Sequence, residues 1–293
     1  FVGAASVYEA RMGANPFDFW RSRWAGPVPW DGALYRAGIR RVAGPFAHPI
    51  CHGFFFSMAV PIGCWLVKDK LAAGRVSKLC VVGALILGLL ASVSRGPMMG
   101  LAIALLITLF GWSRNRTLFL VVGGLAGLFA LALAYPAVQS YLTVDRGEAV
   151  TATQETAAYR NEMLQNYLEV VRERPWLGFG KDEIPIVKGQ KSIDNQYLFL
   201  ALTHGLPAAV VFLGLMVVPI VAALCQLLQR RRSTPIERLR WVLTGVLAGA
   251  VFTQVTVFSG TQTTQVLLLL EGLTVGLLGS VSQRYPGVLR GSI

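Results

Sequence analysis

Charge is scarce in this chain, and histidine is scarcer still. Only 14% of its 293 residues are charged, with three histidines and four cysteines. Soluble domains carry about a quarter charged residues, so the shortage argues against a water-exposed globular domain. Cys51, Cys64, Cys80 and Cys225 all lie in or beside apolar runs. Their spacing offers no disulfide framework, and they read as packing residues. No Walker pattern and no G-x-G-x-x-G occurs, which excludes the familiar nucleotide loops. No internal repeat or low-complexity tract is present. The chain starts at Phe1 without a basic n-region or a small-residue cleavage site, and is expected to be the C-terminal part of a longer protein.

Long apolar runs fill the space that charge leaves. Hydrophobic residues make up 54% of the chain, and the mean hydropathy is +0.55. Seven runs approach the ~20 residues that a helix needs to cross a bilayer core. They are 50–67, 79–93, 98–112, 117–138, 206–228, 241–258 and 263–281. Helix is the expected conformation, because an open sheet would leave backbone groups unpaired in lipid. The fold class predicted is all-α, a polytopic transmembrane helix bundle with a long extracytoplasmic loop containing an amphipathic helix.

The net charge of +12 would suggest nucleic acid in a soluble protein. Here its location along the chain decides otherwise. Hydrophilic stretches fall alternately into two sets. One holds Lys68, Lys70, Arg75 and Lys78, then Arg114 and Arg116, then Arg230–Arg232, Arg238 and Arg240, then Arg284 and Arg290, against only Asp69 and Glu237. By the positive-inside rule this set is cytoplasmic. The other set is extracytoplasmic: residues 1–49, the SRG turn at 94–96, the loop 139–205, and SGTQTT at 259–264. The organisation expected is an Arg/Trp-rich outer segment 1–49, four spans in 50–138, the outer loop 139–205, and three spans with a cytoplasmic C-terminus in 206–293.

The outer set still carries arginines. Arg41 precedes the first span, and Arg95 stands alone in the shortest turn. A cation at the bilayer edge is costly unless it snorkels to the headgroups, which is one reading of Arg95. The other is capture of an anionic, membrane-anchored ligand, since guanidinium donates bidentately to phosphate and keeps its charge. In the central loop, Tyr159, Met163, Tyr167 and Val171 recur at i, i+4 and predict one buried stripe of a helix ending before Pro175. Thr153 or Thr156 is expected to cap it, with Arg160 on another face. PWLGFG then makes a sharp turn.

Together, RVAGPFAHP before a span, SRG between two spans, YRNEMLQNYLEVVRERPWLGFG and DNQYLFLALTHGLPAAVVF resemble the O-antigen ligase/polymerase family of bacterial polysaccharide enzymes. The resemblance runs from about Arg41 to Val218. It implies a multi-pass glycosyltransferase of the bacterial inner membrane with a periplasmic active face. The donor implied is an undecaprenyl-pyrophosphate-linked glycan, and the acceptor a lipid or glycan, as in lipopolysaccharide synthesis. Nucleic acid has no part in it, and no cofactor or metal is expected. The family's outer-face arginines map to Arg41, Arg95 and Arg160 as substrate-binding residues. Where the family has His-Asn before the span after the loop, this chain has Asp194-Asn195. Asp194 is therefore the expected catalytic base, with His48 in reserve. A capping role at the helix beginning near Asn195 or Gln196 is the alternative for Asp194.

Three further readings stay open. His48, Cys51 and His52 form H-x-x-C-H, whose helical spacing would suit a metal, but a fourth ligand is not evident. Glu271 lies within a span, where an acid is functional by default or pairs with Gln254. The competing function is a lipid-linked glycan or polysaccharide transporter without transferase chemistry. Such a protein would be expected to show repeated halves and polar groups along its spans, whereas this chain has no repeat and few charges within its spans.

Overall fold

The computed structural model describes residues 1–25, 35–36, 38–69, 74–143, 152–187, 189–190, 192–229 and 234–284. Lys70, Arg230–Arg232 and Arg290, assigned above to the cytoplasmic set, lie outside these residues. The chain is an all-α membrane protein whose short strands, β1 (Tyr35–Arg36) and β2 (Ile39–Arg40), pair in one antiparallel hairpin. Each apolar run of the sequence falls mainly in a helix: α3 (Pro49–Lys68), α4 (Arg75–Ala91), α5 (Arg95–Trp112), α6 (Arg116–Thr143), α9 (Leu206–Leu228), α10 (Pro235–Thr256) and α11 (Gly260–Arg284). Among the described residues, α3, α5, α9 and α10 are long and apolar enough to cross a membrane, while α4 and α6 contribute shorter apolar stretches. Seven spans were expected. In α11 the opening Thr-Gln-Thr-Thr-Gln lowers the hydropathy, and α4 has only 17 residues.

Two compact units divide the chain. The first contains Phe1–Trp112, Leu215–Thr253 and Ser259–Ile293. Small residues let its helices approach. Gly100, Ala104 and Thr108 of α5 face Gly245, Gly249 and Thr253 of α10, each set spaced by four residues. A Cβ on Gly245 would lie 2.5 Å from the Ala104 carbonyl oxygen. Membrane helices associate through such close packing because lipid supplies no hydrophobic drive between them. Gly88 of α4 is likewise covered by the Phe56 ring, and Gly53 of α3 by Ser92 and Pro97. At the opposite end of α3, Arg238 pairs with Asp69, and Trp65 Nε1 donates to the Pro235 carbonyl at 3.0 Å. Thr234 and Glu237 form a reciprocal capping box at the start of α10, each amide donating to the other's side chain at 3.2 Å.

Residues 1–25, read from sequence only as part of an outer segment, contain α1 (Val2–Met12) and α2 (Asp18–Ala25). Helix α1 packs along α4, with Gly3 against the Ala84 backbone.

The second unit contains Ser113–Gly214 and Gln254–Phe258. Its core joins α7 (Ala152–Glu173) to α8 (Gln196–His204). Met163, Tyr167, Val170 and Val171 pack on Leu198, Ala201 and Leu202, with Tyr159, Phe179 and Ile193 around them. The predicted stripe is thus the buried face. Helix α7 begins at Ala152, so Thr153 and Thr156 fall inside its first turns rather than ahead of it.

Candidate functional site

In the first unit, attention falls on the turn between α4 and α5. Ser92 and Val93 close the end of α4 through amide bonds to Leu89 and Leu90. Val93 has φ +46°, the one non-glycine residue with a positive φ among those described. A β-branched residue there is strained by about 1–3 kcal/mol and persists only when its surroundings over-determine it. Two guanidinium groups do so. Arg41 donates from Nε to the Ser92 carbonyl at 3.1 Å and from Nη2 to Ser94 Oγ at 2.9 Å. Arg36 donates to the Val93 carbonyl at 3.3 Å. Ser94 Oγ in turn donates to the Ser92 carbonyl at 3.0 Å. The product of this bracing is Arg95, exposed as the first residue of α5. Arg41, expected at the ligand, is buried and its bonds run to the turn.

Arg41 is itself positioned by the segment that follows it. Val42 N–H donates to the Ala91 carbonyl at 3.0 Å. The carboxylate of Glu9, only 1% exposed, accepts from the amides of Ala43 at 3.1 Å and Gly44 at 2.9 Å. Asn15 Nδ2 adds a bond to the Gly44 carbonyl at 2.8 Å. Gly44 has φ +56°, and a Cβ there would meet the His52 ring at 2.7 Å. Glycine is needed on both counts. Glu9 carried no sequence signal, since its partners lie more than thirty residues along the chain.

The H-x-x-C-H residues serve separate ends. His48 caps α3, its Nδ1 accepting from Ile50 N–H at 3.1 Å. Cys51 Sγ donates to the Ser259 carbonyl at 3.7 Å. His52 is fully buried, with Nε2 3.2 Å from Ser6 Oγ and 3.1 Å from the Gly88 carbonyl. Among the described residues no group of three His, Cys, Asp or Glu side chains converges as metal ligands do.

In the second unit, the phenol of Tyr159 donates to the Ser192 carbonyl at 2.9 Å and accepts from its amide at 3.0 Å. Ser192 Oγ donates to Asp194 Oδ1 at 2.8 Å. Tyr159 thereby ties the turn of α7 that carries Arg160 to the segment that carries Asp194. Arg160 Nε is buried, with no hydrogen-bond partner among the described residues. The capping alternative for Asp194 is overturned. Asn195 caps α8, its Oδ1 accepting from the amides of Tyr197 and Leu198 at 3.0 Å each. Asp194 precedes the cap and is half-buried. Gln254, the alternative partner for Glu271, accepts from the Tyr197 hydroxyl at 3.4 Å. Burial pushes the Tyr197 phenol up to about 12, so it stays a neutral donor at physiological pH.

The PWLGFG turn closes on the far end of α8. Phe179 N–H donates to the Leu202 carbonyl at 2.7 Å and Gly180 N–H to that of Thr203 at 3.0 Å. These bonds satisfy carbonyls that the helix end leaves open. Gly178 has φ +68°, and a Cβ on it would sit 2.6 Å from the Leu202 oxygen and 2.8 Å from the Gly205 nitrogen. The pattern P-W-L-G-F-G followed by T-H-G is therefore a backbone crossing that no side chain fits.

Comparison with known proteins bears on these same segments. A family model described as O-antigen ligase matches residues 80–213, from within α4 through α8 to the first turns of α9. Over residues 80–213 the chain is similar to the O-antigen ligase family. An O-antigen ligase of Pseudomonas aeruginosa is 27% identical over 229 residues, 75% of this chain and 51% of that protein. The chain thus spans about half the length of this curated relative. No solved structure matches it. The O-antigen ligase match takes in Arg95, Arg160 and Asp194 together with Tyr159, Ser192 and the PWLGFG crossing. Arg41 and His48 lie ahead of it.

Proposed function

We propose that this chain is the transferase part of an enzyme of the bacterial inner membrane. It moves a glycan from an undecaprenyl-pyrophosphate carrier to a lipid-linked or surface glycan acceptor, on the periplasmic face. The observation that carries this reading is the strained Ser92–Ser94 turn, held by two guanidinium groups and presenting Arg95. Backbone strain stored beside an exposed cation at a helix end is the kind of feature that functional sites retain. Arg95 binds the donor pyrophosphate, and Arg41 sets the turn that aims it while adding its own charge. Arg160 contributes a further guanidinium.

In this scheme the acceptor hydroxyl attacks the anomeric carbon of the donor glycan. The bond from that carbon to the pyrophosphate oxygen breaks, and the lipid pyrophosphate departs. The hydroxyl proton passes to Asp194, since a positioned carboxylate is a usual general base. His48 is less suited to the task. Its Nδ1 lone pair is engaged by Ile50 N–H, so in the neutral ring the proton sits on Nε2, which then donates.

Deletion of the gene followed by gel analysis of surface glycans tests the proposal. Loss of all attached polymer identifies a ligase, and a single-repeat product identifies a polymerase. An unchanged glycan pattern contradicts both.

A further inference from the structure

The PWLGFG turn presents two large apolar side chains outward from the second unit. Trp176 is 76% exposed and Leu177 is 86% exposed. Neither belongs to the α7–α8 core, whose members from this turn include Phe179.

Backbone contacts set where these two residues stand. Leu206, the first residue of the apolar helix α9, donates its amide to the Pro175 carbonyl at 2.7 Å. Gly205, at φ +86°, passes so near that a Cβ on it would come within 2.5 Å of the Trp176 carbonyl carbon. The turn is therefore held beside the first residue of a 23-residue helix apolar enough to cross a membrane. On the first turns of that helix, Leu206, Val210 and Val211 are exposed at 44%, 66% and 67%. In a spanning helix such side chains face lipid, so this apolar surface continues from α9 onto the turn.

Tryptophan is the residue that bilayer interfaces favour, because its ring is apolar while its indole N–H keeps a polar partner. Just before the turn, Arg174 stacks on the Phe179 ring at 5.0 Å and lies 4.0 Å from Glu183. A charged pair one residue from the apolar tip suits the step from headgroups to acyl chains.

We propose that Pro175–Leu177 is an interfacial membrane anchor. Trp176 and Leu177 embed in the headgroup–acyl boundary of the leaflet that α9 enters, and hold the α7–α8 core to the lipid surface. The occupant of this apolar tip is phospholipid, because the tip is continuous with the lipid-facing side of α9. This anchoring does not depend on the transfer chemistry.

The test places a benzophenone amino acid at Leu177 or, as a control, at exposed Asp182 in the full-length protein. Each is reconstituted in vesicles of phosphatidylethanolamine and phosphatidylglycerol carrying a labelled acyl chain. Irradiation should attach labelled phospholipid at position 177 at least fivefold more than at position 182. Equal yields at the two positions would overturn the proposal. So would adducts at 177 made mainly to protein, within the chain or to a second copy. An independent arm uses Trp176→Ala and Trp176→Phe without any probe. Hydrogen exchange in the Phe179–Ile184 amides should rise several-fold for Trp176→Ala in vesicles and much less for Trp176→Phe, which keeps an apolar ring; no rise for Trp176→Ala would overturn it.

Discussion

Tyr159 and Ser192 hold each other through a single phenolic oxygen, which donates to the Ser192 carbonyl at 2.9 Å and accepts from its amide at 3.0 Å. The residue beside Tyr159 is Arg160, and two residues beyond Ser192 is Asp194, which accepts from the Ser192 hydroxyl. Removing the phenol therefore frees the segment before α8. Tyr159→Phe should lower stability by about 1–2 kcal/mol, the loss of a part-buried amide and carbonyl partner. Glycan transfer should fall about tenfold or more. Thermal melting and a membrane transfer assay of the same preparation check both.

Asp194 can be probed without harming the helix it precedes, because Asn195 supplies the cap. Asp194→Asn should melt normally and lose about 100- to 10,000-fold in transfer, the usual contribution of a general base. Asn195→Ala should behave in the opposite way in the melt, losing about 1 kcal/mol. Near-normal transfer by Asp194→Asn would move the base elsewhere.

Glu9 supports the Arg41 segment from a distance. Glu9→Ala leaves the buried amides of Ala43 and Gly44 without this acceptor, at a cost of about 1–3 kcal/mol each. Its melting temperature should drop clearly, and transfer should fall with it. Arg41→Lys keeps the charge but not the two-pronged grip on Ser92 and Ser94, so transfer should drop while the membrane-inserted amount holds. Immunoblotting of membranes alongside the assay separates the two effects.

Glycan transfer should survive EDTA. Guanidinium groups neutralise a pyrophosphate without a divalent ion. Activity abolished by the chelator and restored by Mg²⁺ or Zn²⁺ would contradict the arginine-based account.

Orientation follows from the placement of basic residues. With the native cysteines replaced, Ile186→Cys in the central loop should react with an impermeant thiol reagent in cells with a permeabilised outer membrane. Ile236→Cys, at the start of α10, should react only after the inner membrane is opened. Both positions are exposed, at 90% and 56%. The reverse pattern would invert the topology.

Much of the fold was legible because two physical periods dominate it. Apolar runs of bilayer length mark the membrane helices, and the i, i+4 recurrence of Tyr159, Met163, Tyr167 and Val171 marks the buried face of α7. Finer features depend on backbone angles and long-range partners. Asp194 and Asn195 are equally good caps by type; the extended backbone at Asn195, with φ −140° and ψ 118°, decides between them. The positive φ of Val93 has no sequence signature, since valine disfavours it. Arg41 was read as a ligand-facing cation from its charge and side of the membrane, whereas its bonds to the turn follow from a contact fifty residues away. Glu9 was illegible for the same reason.

The Ser92–Arg95 turn is proposed to present a guanidinium to a lipid-linked pyrophosphate. The most direct measurement is transfer from an undecaprenyl-pyrophosphate-linked glycan in purified membranes, comparing the native chain with Arg95→Ala and Arg95→Lys at equal inserted protein. The account predicts a loss of about 100-fold or more for alanine, the scale on which a lost charge partner at a reacting centre is felt, and a partial loss for lysine. Transfer by Arg95→Ala at the native rate would contradict it and leave Arg95 as a cation that only snorkels to the headgroups.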